Sequence, residues 1–463
     1  MSETKKTTLN CFKEYDVRGK LGSEFNESIA YRIGRSVSEH LMVETVVIGY
    51  DARATSKSIA DAVSQSVQDT GANCYSIGLC GTEEVYWAVA NYGFSAGIVI
   101  TASHNPIDFN GMKIVKKGSK PLEKSEFLAI KVLAENQNFR HRATQGNFFN
   151  IASSARTAYI KKILSFVNLK SLRPIKIVIN SGNGAAGPTL KSLISLLEQS
   201  RVKSNIVLVN EMPDPTFPYG IPNPLLLENQ KATGEIVKRL KADFGIAFDG
   251  DFDRCFFFNG HGEFIQGEYI VGILAECFLR YHEGSSIVYD PRVVWNVIDQ
   301  IEAAGGNPVL SRTGHTYIKQ AMRQSNAIYG GEMSAHHYFR DFAYCDSGMV
   351  PWLLIWELIS TGRKSLKEIV DARSQNFISS GEINFKINNP NNCLAFAKEK
   401  YGEIALSIDE VDGISVDLKN WRFNLRKSNT EALIRINVET IKDPVFLKEK
   451  THEITEFVQR FNY

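Results

Sequence analysis

Three carboxylates alternate along Asp249-Gly250-Asp251-Phe252-Asp253, and Arg254 follows directly. Alternate residues of an extended chain point to one face. On a straight strand the outer two carboxylates would lie about 13 Å apart, at roughly 3.3 Å per residue. A hard divalent cation holds its oxygens at about 2.1 Å, so the loop must curl to serve one, and Gly250 permits that. Without a cation, three acids this close repel one another, which points to Mg2+. An EF-hand also opens D-x-D-x-D, but it needs glycine at its sixth position and glutamate at its twelfth. Here those positions hold Arg254 and Gly260. Phe248, Phe252, Cys255 and Phe256 make the surroundings apolar, unlike a solvated acidic turn.

A second chemical group is Thr101-Ala102-Ser103-His104-Asn105-Pro106. It follows the apolar run Ala96–Ile100, which predicts a short buried strand. Asn-Pro predicts a turn, because proline pushes the residue before it out of helical geometry. Ser103 is thus expected on a tight loop at a strand end, where a hydroxyl suits a covalent intermediate.

Three further groups carry polar chemistry. Gly330-Gly331-Glu332-Met333-Ser334-Ala335-His336-His337 offers a carboxylate and a hydroxyl suited to vicinal sugar hydroxyls. Adjacent His336 and His337 point apart on an extended chain, which argues against a joint metal site. Arg426-Lys427-Ser428-Asn429-Thr430-Glu431 gathers the fork donor and short polar donors that a phosphate dianion needs. Tyr15 and Arg18 in Glu14–Gly19 could face a phosphate or cap the first domain. Lys113 and His315 read alone as a surface lysine and a structural histidine.

The elements that must position these groups repeat. Thr45–Gly49 predicts a strand that ends at Tyr50-Asp51-Ala52-Arg53 and leads into a helix over Ser58–Thr70. Pro174–Ile179 ends at Asn180–Gly184 and leads into a helix from about Gly187. Ser286–Tyr289 ends at Asp290-Pro291-Arg292 and leads into a helix from about Val294. Each unit is followed by a second apolar strand running into a polar loop: Ile98–Ile100, Gly245–Phe248 and Ala327–Tyr329. The order of elements predicts three similar α/β domains with mixed sheets around a central cleft. The boundaries fall at 1–152, 153–257 and 258–373, with a smaller α+β domain at 374–463. In that last domain Gly381–Ile387, Gly413–Leu418 and Ala432–Val438 read as strands, and Cys393–Leu406 and Val445–Phe461 as helices.

The bulk numbers exclude several classes. The chain has 463 residues, 43% hydrophobic and 22% charged, with a formal net charge of +2. That gives no argument for a nucleic-acid or membrane partner. No apolar run approaches the roughly 18 residues of a spanning helix. Met1–Asn10 is polar and reads as no signal peptide. The seven cysteines form no CxxC, which fits reduced thiols in a cytoplasmic protein.

Together these residues resemble the α-D-phosphohexomutase superfamily, most closely its bacterial phosphomannomutases. Four motifs stand in the family order: TASHNP at Thr101–Pro106, DGDxDR at Asp249–Arg254, GEMSxHH at Gly331–His337 and RxSNTE at Arg426–Glu431. The resemblance implies that Ser103 carries a phosphoryl group and that Asp249, Asp251, Asp253 and Ser103 hold one Mg2+. It implies substrate contacts from Tyr15, His104, Glu332, Ser334, His336, Arg426, Ser428, Asn429 and Thr430. It implies catalytic roles for Arg18 and Arg254, with Lys113 and His315 moving protons. The expected reaction interconverts mannose 6-phosphate and mannose 1-phosphate through a 1,6-bisphosphate, which also serves as activator, and feeds GDP-mannose and polysaccharide synthesis. Ala432 departs from the family's usual proline, which loosens the loop exit slightly. Glucose phosphates are the nearest alternative substrates. A haloacid-dehalogenase-type enzyme with Asp249 as nucleophile, and a silent sugar-phosphate sensor, are the other readings. Monomer and dimer both remain open.

Overall fold

The computed structural model describes residues 8–427 and 433–462. They form two compact units: one runs to Phe264 and takes in Asp341–Arg363, the other comprises Ile265–Arg340 and continues from Lys364.

The first unit contains two mixed sheets. In the first, strands follow the order Val17–Lys20, Phe109–Lys116, Ala96–Ile100, Thr45–Tyr50, Asn73–Leu79, Phe148–Asn150, with Lys120–Pro121 beside Phe109–Lys116. Ala96–Ile100, Thr45–Tyr50 and Asn73–Leu79 are parallel, while Phe109–Lys116 is antiparallel to Ala96–Ile100. Val46–Ile48 and Ile98–Ile100 are buried, as continuous β-branched runs in a parallel sheet require. Helices Glu27–His40 and Ser56–Gln68 cover this core. The first is capped by the Asn26 side chain, which accepts from the Ile29 N–H at 3.0 Å. The two helices meet closely at Gly34, where a Cβ would come within 2.4 Å of Ser66 Oγ.

The second sheet has the order Phe264–Ile265, Cys255–Asn259, Phe244–Phe248, Lys176–Asn180, Asn205–Val209. Phe244–Phe248 is parallel to Lys176–Asn180 and antiparallel to Cys255–Asn259. The domain change expected near 257 falls inside the strand Cys255–Asn259, which belongs to this sheet.

In the second unit the order is Asn307–Leu310, Ser286–Tyr289, Tyr329–Gly331, His337–Phe339. The first two pairings are parallel and the last antiparallel. The strand expected over Ala327–Tyr329 instead spans Tyr329–Gly331. Its glycines, which read as a turn, sit where a Cβ would meet Met322 Sδ at 2.8 Å and Val271 at 2.7 Å. The C-terminal sheet is antiparallel throughout, with helices Pro390–Gly402 and Pro444–Gln459. Its strand Trp421–Lys427, unforeseen in the sequence, carries Arg426.

The three α/β sheets thus share one plan. In each, a parallel strand turns through a polar loop into an antiparallel partner, and that loop carries Ser103, the aspartates or Glu332. Among the described residues no helix is long and apolar enough to cross a membrane. All seven cysteines are free thiols, and all but Cys277 are buried.

Candidate active site

Ser103 is held where its loop turns sharply. Its φ is +50°, in the left-handed region that non-glycine residues rarely adopt. The Asn105 N–H closes the turn on Ala102 O at 2.9 Å. Ser103 Oγ donates to Asp249 Oδ2 at 2.9 Å, and Arg254 Nη2 donates to the same Oγ at 3.3 Å. The connecting loop within the first sheet and that within the second therefore meet at one hydroxyl, through residues 146 positions apart in sequence. His104 Nδ1 lies 3.1 Å from Ser103 Oγ and also contacts the Arg254 guanidinium. Burial, then the charge of Arg254, holds His104 well below its ordinary value and so keeps it neutral. Arg18 Nη1 reaches Asn105 Oδ1 at 2.5 Å, bringing it to the same loop. Tyr15 is half-buried in the turn ahead of the strand Val17–Lys20.

The three aspartates are fully buried, and one oxygen of each lies within 4.8 Å of the others. Each commits its Oδ2 to protein donors. Asp249 Oδ2 accepts from Ser103 and from Arg254 Nε at 2.9 Å, and Asp251 Oδ2 from Lys113 Nζ at 2.7 Å. Asp253 Oδ2 accepts from Lys113 Nζ at 2.5 Å. The Oδ1 atoms of Asp249, Asp251 and Asp253 are all buried without a hydrogen-bond partner. Three buried carboxylate oxygens without donors are costly unless a cation takes them, and an all-oxygen set suits a hard one. The residues thus fit a divalent metal ion.

Lys113 is no surface lysine. It lies on the strand Phe109–Lys116 and is 4% exposed. Burial alone would lower its ammonium, but Asp251 and Asp253 outweigh that and hold it above its ordinary value. Asp249 is pushed up to about 6, first by burial and then by Asp253 and Asp251 against the pull of Arg254. Asp251 goes the other way, because Lys113 and Thr82 overcome the effect of burial.

The curl of the aspartate loop comes from an unexpected residue. Phe252, with φ +45°, takes the left-handed turn; Gly250 does not have positive φ. Phe252 is fully buried, and Gly81 makes room for it: a Cβ there would lie 2.4 Å from the ring. Gly250 is needed for a close approach instead. A Cβ on it would lie 2.7 Å from Ser103 O.

Sequence reasoning missed the groups that brace these loops. Arg53 donates to Ser103 O at 2.9 Å, Asn105 O at 2.6 Å, Pro106 O at 2.8 Å and Phe109 O at 3.0 Å. Thr82 Oγ1 donates to Asp251 Oδ2, and the Ala185 N–H, in the Asn180–Gly184 turn's wake, donates to Gly250 O at 3.1 Å. The signal for Arg53 was present: Asp51-x-Arg53 and Asp290-x-Arg292 stand at corresponding strand ends.

In the second unit Arg292 plays the part of Arg53. It pairs with Asp290 at 2.6 Å, donates to Ser334 Oγ at 3.2 Å, and lies 3.6 Å from Glu332 Oε2. Glu332 also accepts from the Tyr338 hydroxyl at 2.5 Å and from the Gly314 N–H at 2.9 Å. His315 follows Gly314 as the first residue of the helix His315–Ser325. The His336 ring stacks on Tyr338 at 6.0 Å. Arg426 Nη2 pairs with Glu382 at 3.1 Å, and Arg435 and Arg292 approach the same carboxylate at 3.4 and 3.7 Å. Glu332, Ser334 and Arg426 thus share one network through Arg292 and Glu382. Ser428, Asn429 and Thr430 lie outside the described residues.

The sequence matches three family models: phosphoglucomutase/phosphomannomutase alpha/beta/alpha domain I over residues 9–141, domain II over 157–262 and domain III over 266–377. The chain belongs to the phosphoglucomutase/phosphomannomutase family. A phosphomannomutase of Salmonella montevideo is 48% identical over 97% of this chain and 99% of that protein. A Xanthomonas campestris protein named phosphohexose mutases is 47% identical over 98% of this chain and 100% of its own. The crystal structure of a phosphoglucomutase/phosphomannomutase family protein from Burkholderia thailandensis superposes with a TM-score of 0.86, at 24% identity and 98% coverage of both chains. The chain is therefore a phosphohexomutase, an intramolecular phosphotransferase of carbohydrate metabolism, and the buried acidic cluster is consistent with its binding a metal.

Proposed function

We propose that this phosphohexomutase interconverts mannose 6-phosphate and mannose 1-phosphate, with Ser103 carrying the phosphoryl group between turnovers. The observation that supports it most is the meeting of Ser103 Oγ with Asp249 and Arg254 beside three bare carboxylate oxygens. Phospho-Ser103 would lose its phosphoryl group to O1 of mannose 6-phosphate. The bond from phosphorus to Ser103 Oγ breaks, the bond to O1 forms, and the O1 proton leaves to a base. The 1,6-bisphosphate then turns round and returns its 6-phosphoryl group to Ser103 Oγ, leaving mannose 1-phosphate and reprotonating O6.

Asp249, Asp251 and Asp253 would hold Mg2+ through their Oδ1 atoms, together with an oxygen on Ser103. When bound, the ion supplies positive charge to the transferring phosphoryl group. Arg254 adds a second charge at Ser103 Oγ. Arg18 would bind phosphate at the edge of the Ser103 loop, with His104 and Tyr15 beside it. Lys113, held as an ammonium by two acids, fits neutralisation better than proton removal, which leaves His315 as the proposed base. Glu332 and Ser334 would receive sugar hydroxyls, with His336 alongside. Arg426, with Ser428, Asn429 and Thr430, would grip the phosphate that is not reacting.

A hexose 1,6-bisphosphate would prime a dephosphorylated enzyme. The product suits a route to GDP-mannose and polysaccharides in the cytoplasm. Glucose phosphates remain the second reading, because Glu332 and Ser334 carry no feature that distinguishes the C2 epimers. The test is a coupled assay on both 6-phosphates, primed with bisphosphate, on the native enzyme and Ser103→Ala. Higher kcat/KM on mannose 6-phosphate, abolished in Ser103→Ala, is expected. Undiminished turnover in the variant would dispose of the phosphoserine scheme.

A further inference from the structure

The helix Glu27–His40 places Ser28, Tyr31, Arg32 and Arg35 on one face, at the spacing of helical neighbours. Opposite stands the chain leaving the helix Lys124–Asn136, with Gln137, Phe139, Arg140 and His141. Between them is an open groove of about 340 Å³ within the first unit. None of its lining residues belongs to the Ser103 or aspartate loops.

Arg32 forms the floor and is 8% exposed. Its Nε and Nη2 donate to Ala134 O at 2.8 and 2.6 Å, and Nη2 to Glu135 O at 3.3 Å. These are the last carbonyls of the facing helix, so Arg32 caps it. Carbonyls offer only a fraction of a charge, and a buried guanidinium ordinarily has a carboxylate. Glu135 acts on Arg32 but is shared: its Oε1 also accepts from the Leu9 N–H at 2.9 Å and faces Lys131. Burial draws Arg32 below its ordinary value.

The walls add positive charge. Arg35 Nη2 donates to Arg140 O at 2.6 Å, and its guanidinium lies 5.2 Å over the Phe139 ring. Two acids answer Arg35: Glu39 pairs with it at 3.1 Å and accepts from the Arg140 N–H, and Asp69 acts on it beside the Tyr31 hydroxyl, to which Arg35 Nη1 donates at 3.3 Å. Asp69 is turned to the Tyr31 hydroxyl, Gln65 and Gln145.

We propose that this groove is a second anion site, which binds a phosphate group against Arg32 Nη1 and the Arg140 and His141 side chains. Three guanidiniums, Arg32, Arg35 and Arg140, face the carboxylates of Glu39 and Asp69, while Glu135 is shared with Lys131, and a phosphate group would neutralise the positive excess that remains. The groove is larger than a bare phosphate. Its aromatic residues, Tyr31 and Phe139, give room for a carrier, so the group is either inorganic phosphate or the phosphate of a small metabolite.

Tungstate, a heavy analogue of phosphate, tests this in crystals of the full chain. The expected result is an anomalous peak within hydrogen-bond reach of Arg32 Nη1, besides one near Ser103 as an internal control. The groove peak should vanish in Arg140→Ala/His141→Ala, while the Ser103 peak and turnover stay. Back-soaking with inorganic phosphate or with a nucleoside monophosphate tells which source displaces it, and displacement by either supports the site. A groove without tungstate while the Ser103 site is filled would overturn the proposal. So would a groove peak unchanged in the double variant.

Discussion

Thr82 Oγ1 lies 2.5 Å from Asp251 Oδ2, and the Thr82 N–H donates to Asp251 O at 3.1 Å. One residue at the start of the helix Thr82–Tyr92 thus holds both the backbone carbonyl and the Oδ2 of an aspartate 169 positions away, and leaves its Oδ1 without a hydrogen-bond partner. Replacing the hydroxyl by a methyl in Thr82→Val keeps the shape and removes the orienting bond. Metal affinity should fall about 10- to 100-fold, as for lost outer-shell partners of metal ligands. Titration with Mn2+ followed by its EPR signal reads this directly. Thr82→Ser should recover most of the loss; if both variants bind like the native enzyme, the hydroxyl is not orienting Asp251.

Lys113 neutralises Asp251 and Asp253 from within the fold. Lys113→Met leaves two buried acids without their cation. Unfolding in urea without metal should show a loss of about 3–5 kcal/mol, typical for one half of a buried pair removed. Added Mg2+ should stabilise the variant more than the native protein, because the acids then have no competing ammonium.

Gly250 and Ser103 test how tightly the loops must fit. Gly250→Ala places a methyl 2.7 Å from Ser103 O, so the Ser103 loop must move. A displacement near 1 Å should cost about 100-fold in kcat while circular dichroism stays native. Unchanged kcat would mean that the contact has slack.

Glu268 gives a pH signature. Burial pushes this carboxyl up to about 7, although the Ser379 hydroxyl donates to it at 2.6 Å. In the unfolded chain it titrates near 4.5. Its folded value is the higher, so its contribution to stability is complete below about pH 4.5 and is lost as pH rises toward about 7. The swing is on the order of 3 kcal/mol. Glu268→Gln keeps an acceptor for Ser379 and should flatten the urea midpoint between pH 5 and pH 7.5. An equally sloped profile in the variant would show that other groups carry it.

Much of this was legible because chemistry and pattern coincide. Asp249, Asp251 and Asp253 declare themselves by crowding, and the β-branched runs at Val46 and Ile98 declare their strands. The threefold plan showed in the order of strand, turn and polar loop. What stayed hidden depends on distance in space. Arg53 looks like a strand-end residue until the four carbonyls it grips fold around it. Thr82 shares no local pattern with Asp251. Lys113 reads as a surface lysine because only an antiparallel strand, paired through Val99, carries it inward. Conformational freedom alone points to Gly250 for the curl, but tertiary packing forces Phe252 into it.

That Phe252 takes the bend has a thermal consequence. The shape of the acidic turn is set by how firmly one phenyl ring is wedged in its slot against Gly81. If Mg2+ sits there as proposed, warming that loosens the ring should release it before the sheets come apart, so the cation concentration needed for turnover should rise with temperature well below the melting point.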